Sequence, residues 1–504
     1  MHAPTLRLEL VPLGRSLDVP TGTPLQDVLF PLGIEFPCGG RGRCRGCRIR
    51  VLEGHLPVTP EDERALTPAE RAAGWRLACR ASAQGDLRLE LAQWETPVLA
   101  DETPFEFPPQ PGLGAAIDVG TTTLVVQLVD LMTGSVRGVA TALNPQARHG
   151  ADLMSRVEFA LQPAGAPTLR DLVRSEIGRL LSSLIAESST GETVRRVVLT
   201  GNTVMHHLFA GLSVEPLSQH PFETPHDGLQ EFATADLDWP VPGDPPVFFL
   251  PCLGGFVGSD ILAGIAATRL HETDQLTGLV DLGTNGEIVV GNRNGLLCAS
   301  TAAGPAFEGA RIAHGMRAAS GAIAGVTATG GTLEFRVLGN GRPRGLCGSG
   351  LVDAVAVGLD LGTIQPSGRL GQGREWMLAD PVSLTQADIR QLQLAKAAVT
   401  AGLRILLERS NASPTDLACL HLAGAFGNYI SRSSARRIGL IPLPPERVRP
   451  AGNTSLLGAK LALFAPRSAL DYSDLRQRIR HVSLHLDPRF HEIYVQEMTF
   501  PGQA

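Results

Sequence analysis

Four cysteines near the N-terminus carry the clearest chemistry in the chain: Cys38, Cys44, Cys47 and Cys79, spaced Cys-x5-Cys-x2-Cys, then 31 residues, then Cys. Three thiolates on one loop and a fourth from a distant segment is the ligand arrangement of a plant-type 2Fe–2S cluster. Structural zinc prefers two separated Cys-x2-Cys pairs, and only one pair here has that spacing. Gly39, Gly40, Gly42 and Gly46 lie among the loop cysteines. They let the backbone curl and aim N–H groups at cluster sulfurs. The other cysteines, Cys252, Cys298, Cys347 and Cys419, are scattered, as buried small apolar residues usually are.

A second group of residues suits phosphate. Asp118-Val119-Gly120-Thr121-Thr122-Thr123 leaves an apolar strand, and 163 residues later Asp281-Leu282-Gly283-Thr284-Asn285-Gly286 does the same. In each turn Gly permits close approach of backbone N–H groups to phosphate, and Thr adds a donor. Each Asp can hold Mg²⁺ through water. Two copies in one strand context predict duplicated lobes whose phosphate loops face each other across one cleft, with Asp118 and Asp281 as catalytic candidates. The pair resembles the phosphate loops of the acetate and sugar kinase/Hsp70/actin superfamily, and that resemblance implies ATP and an adenosine turn, which the strand and turn Leu420 to Asn428 fits with Gly424 and Gly427. Asn202 follows strand 197–201, and Glu308 sits between the helix breakers of Gly304–Gly309 as a third catalytic candidate. Cys347-Gly348-Ser349-Gly350 precedes an expected helix over 351–361. Gly452-Asn453-Thr454-Ser455 caps the helix that carries Lys460. His206 and His207 read as packing residues, since no metal-ligand cluster accompanies them.

Composition removes several classes. The 504 residues carry a net charge of −6 and are 43% hydrophobic, which is a core-forming composition. Mild acidity argues against nucleic acid, whose phosphates need a basic field. The basic residues are 42 Arg and two Lys, Lys396 and Lys460. No Gly-x4-Gly-Lys-Ser/Thr occurs, which excludes a P-loop nucleotidase. No run of about 18 apolar residues is free of charges or breakers, so no membrane span is expected. The alternating segment Thr5–Val11 lacks the layout of a signal peptide, so a cytoplasmic location is expected.

The elements that must position these residues fall into three parts. Strands over 5–11, near 16–19, 47–52 and 87–91, with a helix over 24–32, follow the order of a β-grasp ferredoxin. Residues 1–92 resemble that family, with the motif cysteines as its cluster ligands. Residues 93–113 hold five prolines and read as a semi-rigid tether. Residues 114–504 resemble the two-lobed acetate and sugar kinase/Hsp70/actin superfamily, with lobes of about 114–276 and 277–504. Arg41, Arg43, Arg45, Arg48 and Arg50 crowd the cluster loop, which suggests a docking face for an acidic partner.

The whole chain resembles the ATP-dependent reductive activators of corrinoid proteins. The resemblance is carried by Cys38–Cys79, the 118–123 and 281–287 loops, Gly201–Phe209, Gly304–Gly309 and Ala423–Tyr429. It implies an α/β ATPase-like enzyme that passes one electron from a 2Fe–2S cluster to Co(II) of a corrinoid (cobalamin) protein or methyltransferase, regenerating Co(I). It also implies ATP and Mg²⁺ as cofactors, an upstream electron donor and a homodimer through the ATPase-like domain. Only about 20 residues separate the ferredoxin part from Asp118, so the extra intervening domain of longer family members has no room. Three other readings stay open: a small-molecule kinase, an activator of a 2-hydroxyacyl-CoA dehydratase, and a nucleotide-sensing ferredoxin without turnover.

Overall fold

Apolar residues alternate along the first strand, and the fold follows from that pattern. In the computed structural model, Leu8 and Leu10 of β1 (Thr5–Val11) are buried while Arg7 and Glu9 are not. The structure describes residues 5–11, 14–29, 32, 34, 42, 47–91, 105–150, 152–188, 191–283, 285–309, 311–427 and 430–502. β1 pairs antiparallel with β2 (Arg15–Pro20), and α1 (Leu25–Leu29) follows, inside the expected 24–32. Next come β3 (Arg48–Glu53), α2 (Pro60–Ala65), α3 (Pro68–Ala72), β4 (Trp75–Leu77) and β5 (Leu87–Leu91). The sheet order is β2-β1-β5-β3-β4, with β5 parallel to β1. Both short helices start at a Thr-Pro capping box, which satisfies N–H groups that so short a helix would otherwise leave bare.

Of the Pro-rich segment, residues 105–112 are described. Phe105 and Phe107 stack on Phe464, with ring centroids 5.6 and 4.6 Å away. This part of the expected tether therefore lies on the nucleotide fold.

The remaining chain builds two sheets from one repeated plan. In the first, β6 (Leu113–Val119), β7 (Thr123–Asp130) and β8 (Val136–Leu143) form an antiparallel meander. α4 (Leu153–Ala160) and α5 (Gly165–Ser188) follow, then β9 (Val194–Gly201), α6 (Thr203–Ala210), β10 (Gln230–Ala233) and β11 (Pro246–Phe249). The order is β10-β11-β9-β6-β7-β8, with β9 parallel to β6. After α7 (Ser259–Thr268), the strands β12 (Thr277–Leu282), β13 (Gly286–Asn292) and β14 (Gly295–Thr301) repeat the meander.

A small sheet of β15 (Ala322–Thr329), β16 (Thr332–Val337) and β17 (Gly345–Leu346) precedes α8 (Gly348–Asp360). A hairpin, β18 (Glu375–Ala379) with β19 (Val382–Thr385), leads into α9 (Gln386–Arg409). Then come β20 (Cys419–Ala423), the single turn α10 (Gly424–Gly427), α11 (Arg432–Arg437), β21 (Val448–Gly452), α12 (Thr454–Phe464) and β22 (Ile479–His481). The second sheet runs β21-β20-β12-β13-β14-β22, with β20 parallel to β12.

Each lobe thus presents the end of its first meander strand, β6 or β12, toward the other. α12 packs on β6, β9 and α7. Its apolar residues are buried around most of its circumference, as expected of a helix between two layers. His206 and His207 are buried in α6, in agreement with a packing role. Burial pushes the His206 ring down to about 3, so it is neutral. Cys252, Cys298, Cys347 and Cys419 are all buried. Among the described residues no helix is long and apolar enough to cross a membrane.

Candidate functional site

The two Asp-bearing turns meet. Asp118 is the penultimate residue of β6, Asp281 that of β12, and both line one cavity of about 260 Å³ between the lobes. Gly120, Thr121, Thr122 and Thr123 line it from one side, Gly283 and Asn285 from the other. Asn202, Glu308 and Gly424 complete the expected set on its wall. Thr284 lies outside the described residues. Gly286 and Gly427 are turned elsewhere: a Cβ on Gly286 would meet Val399, and one on Gly427 would meet Leu422. Gly427 therefore packs α10 onto its own strand, and Gly424 is the glycine that faces the site. Gly424 has φ +86°, and a Cβ there would fall 2.5 Å from Asp281 Oδ1. Only glycine permits that approach.

The carboxylates are more numerous than the sequence suggested. Asp260, in the first turn of α7, and Glu287, on β13 directly across from Asp281, line the same cavity. Asp118 accepts hydrogen bonds from Asn453 Nδ2 (2.9 Å) and Ser455 Oγ (3.0 Å) at the start of α12. Glu287 accepts one from Ser300 Oγ at 3.2 Å. No described residue donates a hydrogen bond to the Asp281 carboxylate. Burial, and then Asp118 nearby, pushes Asp281 up to about 7. Asp260 and Glu287 are likewise raised, first by burial and then by the other carboxylates. Asp118 is raised by burial against the pull of its two hydrogen bonds. Four acids that resist ionising together form an oxygen-donor set of the kind that suits a hard cation. Arg317 is the one basic residue among the described residues that line the cavity, and burial lowers it to about 9.

The first phosphate loop is held from behind. Asn144 Nδ2 donates to the Gly120 carbonyl at 2.9 Å, and the Asn144 N–H donates to that of Thr122, also at 2.9 Å. Arg156 Nη2 donates to the carbonyl of Thr121 at 2.5 Å. A peptide's C=O and N–H point in opposite directions. Drawing three successive carbonyls one way therefore presents the next N–H groups the other way, as a phosphate cradle requires. Arg156 is buried and pulled down to about 9 by desolvation. It remains a cation behind that cradle.

At the N-terminal domain, the described ligand candidates come together. Cys47 is 1% exposed, and its carbonyl accepts the Ala78 N–H at 3.0 Å, next to Cys79. Neither cysteine is in a disulfide, and the backbones that carry them lie side by side, as two members of a cluster's donor set require. Cys38 and Cys44 lie outside the described residues, as do Arg41, Arg43 and Arg45. Arg48 and Arg50 are engaged within the domain: Arg48 reaches Glu70 at 3.3 Å and lies over Trp75, and Arg50 reaches Glu90 at 3.6 Å.

Asp260, Glu287, Arg317, Asn144 and Arg156 were not picked out from the sequence. Two of them left a trace there. Asp260 is a charge inside an apolar stretch, and Glu287 lies where a hairpin over 283–286 must return opposite Asp281.

Fold and site define a two-lobed actin/sugar-kinase-like chain joined to a ferredoxin-type domain. Residues 9–84 match the family described as "2Fe-2S iron-sulfur cluster binding domain". Residues 113–273 match "RACo middle region", and residues 275–504 match "C-terminal domain of RACo the ASKHA domain". The chain is 33% identical, over 80% of its length and 72% of the relative's, to the "Corrinoid activation enzyme RamQ" of Eubacterium limosum. It is 24% identical to the "[Co(II) methylated amine-specific corrinoid protein] reductase" of Methanosarcina barkeri, over 78% and 77% of the two chains. A solved structure described as "Reductive activator for corrinoid,iron-sulfur protein" superimposes with a TM-score of 0.70 at 27% identity, covering 99% of this chain and 98% of that one. The chain belongs to the family of reductive activators of corrinoid proteins.

Proposed function

We propose that this protein is an ATP-dependent activator that returns an oxidised corrinoid protein or cobalamin-dependent methyltransferase from Co(II) to Co(I). Its working units are the ferredoxin domain (1–92), the Pro-rich segment (93–113) and the two lobes (114–276 and 277–504). Cys38, Cys44, Cys47 and Cys79 hold a 2Fe–2S cluster, which supplies one-electron chemistry near −400 mV in plant-type proteins. The nucleotide fold supplies the rest.

Gly120–Thr123 and residues 283–285 present N–H and hydroxyl donors to the phosphates. Asp118, Asp281 and their neighbours Asp260 and Glu287 hold Mg²⁺, directly or through water. Glu308 lies on the cavity wall, within reach of a nucleophilic water. Gly424 faces the adenosine side, and Gly427 packs the same turn onto its strand. Reduction of Co(II) is harder than reduction of such a cluster, so hydrolysis or binding of ATP must favour a conformation from which the electron leaves.

The observation that carries this reading is the convergence of four carboxylates on two phosphate-type loops in one cavity, in a chain that also brings the backbone of Cys47 beside that of Cys79. The scattered cysteines do not support the reading as a dehydratase activator. They fall on separate elements, Cys298 on β14, Cys347 just before α8 and Cys419 on β20, and among the described residues they gather into no set of three or more metal-ligating side chains. The protein acts in the cytoplasm as a dimer through the nucleotide fold and takes its electron from an upstream carrier.

The test is an anaerobic assay with a Co(II) corrinoid protein and a low-potential reductant, following Co(I) optically and phosphate release together. ATP turnover stimulated by the corrinoid protein, with Co(I) formed only when ATP is present, is the expected result. Equal Co(I) formation without nucleotide would overturn the proposal.

A further inference from the structure

The ferredoxin domain touches both lobes, and on one side it does so beside the phosphate loop. Leu143, the last residue of β8, is buried within the hydrophobic core of the ferredoxin domain, with Ala147 packed against the same core. Arg148 lies 4.0 Å from Asp27 of α1. On the other lobe, Arg344 donates to the Leu91 carbonyl at 2.6 Å and lies 3.7 Å from Glu90. The domain therefore rests on lobe one through residues 143–148 and on lobe two through Arg344.

The lobe-one contact is continuous with the nucleotide site. Leu143 is the ladder partner of Thr123. Asn144, the next residue, holds the carbonyls of Gly120 and Thr122. On the ferredoxin side, α1 is tied to the segment just after Cys79. The Leu25 N–H donates to the Ala81 carbonyl at 2.9 Å, and the Ala83 N–H donates to that of Thr23, also at 2.9 Å. One run of contacts thus leads from Gly120 through Asn144, then Leu143 and Arg148, to Asp27 and the Cys79 turn.

We propose that the 143–148 segment is the link through which nucleotide occupancy sets the position of the ferredoxin domain, with Asn144 as its positioning residue. The proposal rests on the ATP-site reading above and adds its regulation. A phosphate drawn onto the N–H groups of residues 121–123 pulls on a loop whose carbonyls Asn144 holds. A change in the separation of the lobes cannot preserve both the 143–148 contact and the Arg344 contact in one geometry. The ferredoxin domain must therefore yield at one of them. This gives the shared conformational equilibrium that coupling requires. Linkage makes it reciprocal: the position of the ferredoxin domain changes the affinity for nucleotide by the same factor.

Hydrogen exchange on the full cluster-bearing chain, with and without Mg-ATP, tests this, since local opening is read segment by segment. In the wild-type protein Mg-ATP should slow exchange over 118–123 and change it by about threefold or more over 24–29 and 78–83. Arg148→Glu should keep the protection at 118–123 and lose the change at 24–29. Adding Asp27→Arg should restore it. Asn144→Ala should raise KM for ATP and also uncouple the two segments, and the visible circular dichroism of the cluster should cease to respond to nucleotide. Protection at 118–123 with no response at 24–29 in the wild-type protein overturns the link and leaves the ATP site intact. So does an undiminished response in Arg148→Glu. Absence of protection at 118–123 overturns the ATP-site reading and the link with it.

Discussion

Replacing Asp281 by Asn should make the metal-free protein more stable while it cuts turnover and removes the stabilisation by Mg²⁺ with ATP, the combination expected of a cation-holding carboxylate. Burial and the Asp118 charge carry Asp281 from 3.8 to about 7. At about 1.4 kcal/mol per pH unit, that is on the order of 4 kcal/mol against the ionised form. The group is an acid raised in the folded state. Its contribution to stability is therefore complete below the unfolded value near 4 and is lost as pH rises through about 7. At pH 8 without a metal, the wild-type chain carries this cost in full. The Asn side chain removes it but buries an amide, which costs about 1–3 kcal/mol if left without partners. A net gain of about 1–3 kcal/mol remains, and the thermal transition of the nucleotide fold should rise by several degrees. Mg²⁺ with ATP should stabilise the wild-type protein and not the variant. Turnover should drop by about 10²- to 10³-fold, the loss typical of one preorganised charge-stabilising group. The assays are melting curves at pH 5 and pH 8, with and without Mg-ATP, beside phosphate release. A variant that melts lower than wild type without metal at pH 8, or that turns over ATP within twofold of wild type, would refute the carboxylate argument.

Four other outcomes are expected. Cys79→Ser should abolish or alter the EPR signal of the reduced cluster while Cys298→Ser leaves it unchanged, with iron content measured on both. Gly424→Ala places a Cβ 2.5 Å from Asp281 Oδ1 at a φ of +86°. It should lower stability by about 1–3 kcal/mol, read by denaturant unfolding, and reduce ATP turnover. Arg156→Met removes the buried donor to the Thr121 carbonyl. KM for ATP should rise by about 10- to 100-fold, matching a charged hydrogen bond of about 1.5–3 kcal/mol. Changing Arg41, Arg43 and Arg45 together to Gln should slow partner reduction at low salt and have little effect near 1 M, where the Debye length is about 3 Å. An unchanged rate and salt slope would make the loop an ordinary solvated surface.

What could be read from the sequence was chemistry written in local spacing. The two Asp-Gly-hydroxyl turns each sit within six residues, and their duplication predicted the cleft that both line. The ferredoxin order was legible because β1 alternates cleanly and glycines and prolines punctuate the strands. Residues whose role depends on long-range approach were not legible. Asn453 and Ser455 reach Asp118 across more than 330 residues, because α12 lies against β6. Arg156 was hidden for a different reason. In a chain with 42 arginines, one on an amphipathic helix looks like surface, and only the fold reveals that it is buried against Thr121. Gly427 was assigned to the nucleotide with Gly424 because the turn repeats a family pattern. The fold separates the two, since one faces Asp281 and the other packs on Leu422.

The strength of the ferredoxin contact decides whether it can serve a switch. Burying a leucine such as Leu143 contributes about 1.5–3 kcal/mol. The Arg148–Asp27 pair is partly exposed at 4.0 Å and adds about 0–1 kcal/mol. A contact of roughly 2–4 kcal/mol keeps the domain seated most of the time, yet overlaps the coupling of about 1–3 kcal/mol that a ligand typically exerts on a distant site. A large apolar interface would hold the domain in place whatever the nucleotide did. With no contact at all, the nucleotide would have nothing to act on. The stacking of Phe105 and Phe107 on Phe464 fixes the far end of the connecting segment, so a displaced ferredoxin domain stays close to its seat. An electron carrier that must leave the nucleotide fold to meet a corrinoid, and then return, needs a contact of this middling strength.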